Sequence, residues 1–74
     1  MGLDLDSPVP LWEQLADIVR SRVRSGKYTG RIPSAKTLAQ EFEVSTRTSE
    51  RALTALKDEG LLVAVVGRGF FIKR

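Results

Sequence analysis

Apolar residues recur at helical spacing in three stretches of the chain and at strand density in two more. Leu11, Leu15, Ile18 and Val19 form one stripe, which Trp12, Ala16 and Val23 widen, so a helix is predicted from Leu11 onward. Leu38, Ala39 and Phe42 mark a second helix, and Ala52, Leu53 and Leu56 a third. After these, Leu61 to Val66 is β-branched enough to be a strand, and Phe70 to Lys73 reads as its return. Gly67-Arg68-Gly69 between them is a hairpin turn whose tip presents one arginine.

The polar residues between these runs set the boundaries. Pro8 and Pro10 disfavour helix before them, Pro10 fits a first turn, and Ser7 is a possible cap. Residues 1–9 are therefore expected to be a flexible leader, followed by one domain over residues 10–74. Ser25-Gly26 stops the first helix, Gly26 being able to take the left-handed conformation. Lys27 to Gly30 is a turn, and Arg31-Ile32 has room only for a very short extended piece. Pro33-Ser34 opens the second helix with Ser34 as cap, although Thr37 stands where a capping box takes Glu or Gln. Ser45 caps the third helix, which should end near Glu59 with Gly60 as its stop.

Composition narrows the chemistry. The 74 residues make one small domain, and they include neither Cys nor His. No disulfide, zinc-thiolate site or thiol nucleophile is available, and the commonest general base and metal ligand is missing. An enzyme is not expected, nor is a cofactor. No apolar run approaches the roughly 20 residues of a membrane span. The net charge of +3 is unevenly spread. Residues 1–17 hold Asp4, Asp6, Glu13 and Asp17 without Lys or Arg, a charge of −4. Residues 18–74 hold all 12 basic groups against Glu41, Glu43, Glu50, Asp58 and Glu59, a charge of +7. A basic body suits a polyanion partner, and a solvated surface can look similar.

Candidate chemistry lies just after Ser45. Thr46, Arg47, Thr48, Ser49 and Arg51 are hydroxyls and guanidiniums expected on the part of the helix that the apolar stripe does not use. Arg can fork onto guanine, while Ser and Thr can donate to phosphates or bases, which suits a DNA major groove. Ordinary caps on a solvated helix would read the same way. Lys36 sits in a first helical turn, against the dipole preference, which suggests an external anion. Trp12 is most simply a core or boundary aromatic, with stacking on a base as the minor alternative.

Three helices followed by a β-hairpin make an α+β, mainly α fold, the winged helix-turn-helix. In that arrangement Arg68, with Gly67 and Gly69 beside it, is placed to enter a minor groove.

In this order the landmarks resemble the N-terminal DNA-binding domain of the GntR family of bacterial transcriptional regulators. They are Pro10-Leu11-Trp12-Glu13-Gln14-Leu15, Ser25-Gly26-Lys27-Tyr28, Arg31-Ile32-Pro33-Ser34, Leu38-Ala39 and Val44-Ser45. Arg51-Ala52-Leu53, Leu56, Glu59-Gly60-Leu61 and Gly67-Arg68-Gly69 complete the series, so the resemblance covers roughly residues 10–72. The departures are specific. Lys36 stands where the family's Pro-Ser-Glu-Arg has a base-contacting arginine, with Ala35 in place of glutamate. The arginine usual directly after Val44-Ser45 is moved by one residue to Arg47, about 100° around a helix. Ser49 stands where many members are hydrophobic. Glu50 stands where another contacting arginine is frequent; it can accept from cytosine or pair with Arg47 or Lys57, the pairing being preferred. The turn from Tyr28 to Arg31 is about two residues short, and Val63-Ala64-Val65-Val66 is apolar where relatives are charged.

The resemblance implies a cytoplasmic, sequence-specific binder of double-stranded DNA, most often a repressor. The expected contacts are Thr46, Arg47, Thr48 and Arg51 in the major groove. Ser34, Lys36 and Ser45 would hold phosphate or base edges, and Gly67-Arg68-Gly69 would dip into the minor groove. It also implies a homodimer on a palindromic operator, and a small-molecule effector only through a C-terminal domain absent from this chain. The chain then reads as an excised DNA-binding domain or a short stand-alone regulator. The rival is a winged helix used for protein association through its apolar wing strand.

Overall fold

The computed structural model describes residues 3–73; Met1 and Gly2 of the expected leader, and Arg74, lie outside the described residues. The elements are α1 (Leu11–Arg24), α2 (Ala35–Phe42), α3 (Thr46–Asp58), β1 (Leu62–Val65) and β2 (Gly69–Ile72). Helix α3 lies at the centre, packed against α1, α2 and β1. Leu15, Ala16 and Val19 of α1 meet Leu38 of α2 and Ala52, Leu53 and Leu56 of α3 in the core, which Ile32 and Leu62 close from the wing side. The apolar stripes predicted for the three helices therefore face one another.

Each helix is bounded by local chemistry. Pro10 is the N-cap of α1 rather than part of its first turn, and its carbonyl accepts from Glu13 and Gln14. Ser7 does not cap; its hydroxyl accepts from the Val9 N–H at 3.1 Å, forming a local turn before the proline. The Gln14 side chain reaches back, accepting from Asp4 N–H at 2.7 Å and donating to the carbonyls of Asp4 and Val9. Ser34 and Ser45 cap α2 and α3 by the same device. Each hydroxyl accepts the N–H three residues on, from Thr37 and Thr48, at 3.1 Å. Each also shares a proton with that threonine's hydroxyl, at 3.0 and 2.9 Å.

The two helices of the helix-turn-helix are joined through Glu43, which holds φ 55°, ψ 46°. It is the one non-glycine residue with positive φ among those described. The Val44 N–H returns to the Ala39 carbonyl at 3.0 Å across this turn. At the end of α3 the same left-handed step falls on Gly60, where the Leu61 N–H reaches the Leu56 carbonyl at 3.1 Å.

The wing is an antiparallel pair with Leu62 opposite Ile72 and Val65 opposite Gly69. Its loop is Val66-Gly67-Arg68, closed by the Arg68 N–H on the Val65 carbonyl at 2.9 Å. Gly69, expected in the turn, begins β2, and Val66, expected in the strand, is the fully exposed tip. The short extended piece at Arg31 bridges to Phe71, with the Ile32 N–H on the Phe70 carbonyl at 3.0 Å. This third segment covers the outer edge of β2 and anchors the wing to the start of α2.

Candidate nucleic-acid interface

Stepping about 100° per residue along α3 separates its two faces. Ser49, Ala52, Leu53 and Leu56 point into the core. Arg47, Arg51, Thr54 and Asp58 fall on the opposite side, and all four are exposed. The moved arginine thus points straight away from the core, with Arg51 one turn behind it. Ser45, Arg47, Thr48, Glu50, Arg51, Thr54, Ala55 and Asp58 line a concave surface of about 680 Å³, closed on one side by Trp12 of α1. The Arg51 guanidinium carbon lies 4.8 Å from the centre of the Trp12 ring.

A second concavity, of about 510 Å³, opens at the start of α2. Lys27, Tyr28, Thr29, Arg31, Ile32, Pro33, Ser34 and Thr37 line it, so two cations stand beside the N-terminus of a helix. Lys36 is exposed in the first turn of α2 and lines neither concavity. Gly67 and Arg68 are exposed at the wing tip.

Electrostatics divides the arginines into two groups. Arg20 takes both carboxylate oxygens of Glu59 and also Asp17. Arg22 pairs with Glu41 at 2.8 Å, donates to the Tyr28 hydroxyl at 2.7 Å, and lies over the Tyr28 and Phe42 rings. These hydrogen bonds push both guanidiniums further above their ordinary value, Glu59 being the main cause for Arg20 and Glu41 for Arg22. The same bonds hold Glu41 and Glu59 below the ordinary carboxylate value. Among the described residues, Arg31, Lys36, Arg47, Arg51 and Arg68 form no ion pair. The two half-buried arginines are thus paired with carboxylates, whereas these five exposed cations are not.

Two expectations for α3 change. Ser49 does not join the exposed hydroxyls: it is fully buried, because positions 49, 52, 53 and 56 share one face. Its hydroxyl has no hydrogen-bond partner among the described residues. Glu50 forms no ion pair with Arg47 or Lys57 among the described residues. Arg51 is exposed on the outer face, with its guanidinium over the Trp12 ring. Trp12 and Arg31 were not among the expected site residues; Arg31 is a near neighbour of Ser34 in the chain, whereas only the fold sets Trp12 beside Arg51. Among the described residues no cluster of acidic side chains could hold a metal ion.

Residues 11–72 match the model of the family described as "Bacterial regulatory proteins, gntR family". The chain belongs to the GntR family. Similar to this GntR-family domain is an uncharacterized HTH-type transcriptional regulator of Rhizobium meliloti, 47% identical over 89% of the chain and 28% of that protein. The HTH-type transcriptional repressor NagR of Bacillus subtilis is 30% identical over the whole chain and 31% of its own length. The chain thus spans under a third of these relatives. Among solved structures, AraR(DBD) in complex with operator ORX1 superimposes with a TM-score of 0.83. It is 30% identical, over 97% of this chain and 98% of that one. The winged helix-turn-helix expected from the sequence is the fold found. No helix among the described residues is long and apolar enough to cross a membrane.

Proposed function

We propose that this domain binds double-stranded DNA sequence-specifically as the DNA-reading part of a bacterial transcriptional repressor. The observation that carries the reading is the outer face of α3, where Arg47 and Arg51 stand without carboxylate partners while Arg20 and Arg22 are paired. The likeness to a DNA-binding domain bound to its operator supports it. Arg47, with Thr46 and Thr48 beside it, reads base edges in the major groove. Lys36 and the capped N-termini at Ser34 and Ser45 hold phosphates; the two serine hydroxyls serve as caps, so the helix N–H groups and dipole contribute as much as the side chains. Gly67-Arg68-Gly69 reaches a minor groove. Two copies sit on a palindromic site in the cytoplasm, and a small-molecule effector acts only if the protein continues into a further C-terminal domain, as its longer relatives do beyond the matched part. No catalytic role is assigned.

The test compares Arg47→Ala with Lys36→Ala and Arg68→Ala on a selected duplex and on random duplex. Arg47→Ala should lose the preference between the two, whereas the other variants should weaken both alike. Equal loss on both duplexes for Arg47→Ala would remove its base-reading role.

A further inference from the structure

Among the described residues, the Arg51–Trp12 pair differs from every other arginine arrangement. Arg20 and Arg22 are fixed by carboxylates, and Arg22 lies over rings as well. Arg51 is held by an aromatic ring alone, although Glu50 and Asp58 line the same groove. Among the described residues it makes no ion pair and no side-chain hydrogen bond to Glu50, Asp58 or any other group. Stacking occupies one face of a guanidinium and leaves the donors along its edge free. A guanidinium that lies over a ring and is unpaired along its edge keeps its N–H donors for an anion. Trp12, the second residue of α1, closes one side of the groove that Arg47 and Arg51 line on the recognition helix.

We infer that Trp12 is a positioning residue for DNA, holding Arg51 so that its edge N–H groups grip a backbone phosphate beside the recognition helix. This rests on the duplex-binding reading above and divides the two arginines of the outer face. Arg47, with no ring beneath it, reads bases; Arg51, set against α1, fixes register. Sequence preference then belongs to Arg47, and a sequence-independent part of the affinity to the Trp12–Arg51 pair.

The experiment is a double-mutant cycle on the 74-residue chain, with affinity measured against salt on a selected and a random duplex. Arg51→Ala should weaken both alike and lower the slope of log affinity on log salt by about 0.9, one phosphate's share. Trp12→Leu should weaken both about two- to fivefold, Trp12→Phe should restore most of the loss, and Trp12→Leu should cost nothing further once Arg51 is alanine. Trp12 is the only tryptophan, so its emission needs no label. Duplex should change that emission in the natural chain and leave it unchanged in Arg51→Ala, a readout independent of how well the Trp12 variants fold. Additive losses in the cycle, or an emission change that survives Arg51→Ala, would overturn the role while leaving duplex binding intact. A natural chain that retains no duplex at low salt would overturn the binding reading itself, and this role with it.

Discussion

Arg20 of α1 and Glu59 at the end of α3 face each other as a two-pronged pair, Nε to Oε1 at 3.0 Å and Nη2 to Oε2 at 2.5 Å. The link ties the C-terminal end of the recognition helix to α1 just before Gly60 turns the chain into the wing. Both side chains are partly exposed, 23% and 43%, so water screens much of the attraction. Glu59→Gln is expected to lower unfolding stability by less than about 1 kcal/mol. Urea denaturation checks this, and a loss well above that value would show that the pair does more than fasten two helix ends.

The acid side of the stability curve follows from the same bonds. Glu59 and Glu41 sit below their ordinary value of 4.5 when folded, so the unfolded chain binds more protons in acid. Their contribution is present above that value and is lost as pH falls through the lowered folded values. With no His or Cys, no side chain titrates ordinarily near neutrality. Thermal midpoints should therefore stay flat from about pH 5.5 to 8 and fall as the carboxylates protonate. Replacing either glutamate by glutamine should shrink the acid-side fall.

The buried Ser49 hydroxyl is a defect in an otherwise apolar face. Ser49→Ala removes an unsatisfied polar group and suits a helix interior, so it is expected to raise stability by about 1 kcal/mol. Duplex affinity should be unchanged, because the residue faces away from Arg47. A destabilised Ser49→Ala would mean that the hydroxyl has a partner, such as a buried water.

Glu43 holds a left-handed conformation that side chains disfavour by roughly 1–2 kcal/mol. Glu43→Gly should relieve part of this and gain up to about 1 kcal/mol, since glycine's added freedom in the unfolded chain offsets some of it. A melting comparison decides the sign.

Periodicity identified all three helices, because each buries one stripe against the same core. The serine caps and the glycine stop at Gly60 were legible for the same local reason: a single side chain satisfies or ends the turn. Three features were less visible. Ser49 is polar in sequence but lies on the core face by phase, and its type outweighed its position. Glu43 carries no local sign of positive φ; the requirement comes from where Val44 must go. Trp12 and Arg51 are 39 residues apart in the chain, and only the packing of α1 on α3 brings them together. The outward direction of Arg47 was foreseeable from helical phase alone, whereas the lack of a partner for Glu50 was not.

The most direct test is selection of a randomised duplex pool on the purified 74-residue chain at moderate salt. Enrichment of one sequence family with two-fold symmetry is the expected result, and its half-site spacing would report how two copies sit on DNA. A pool that leaves the column unenriched, with retention vanishing at physiological salt, would contradict sequence-specific operator binding by this domain.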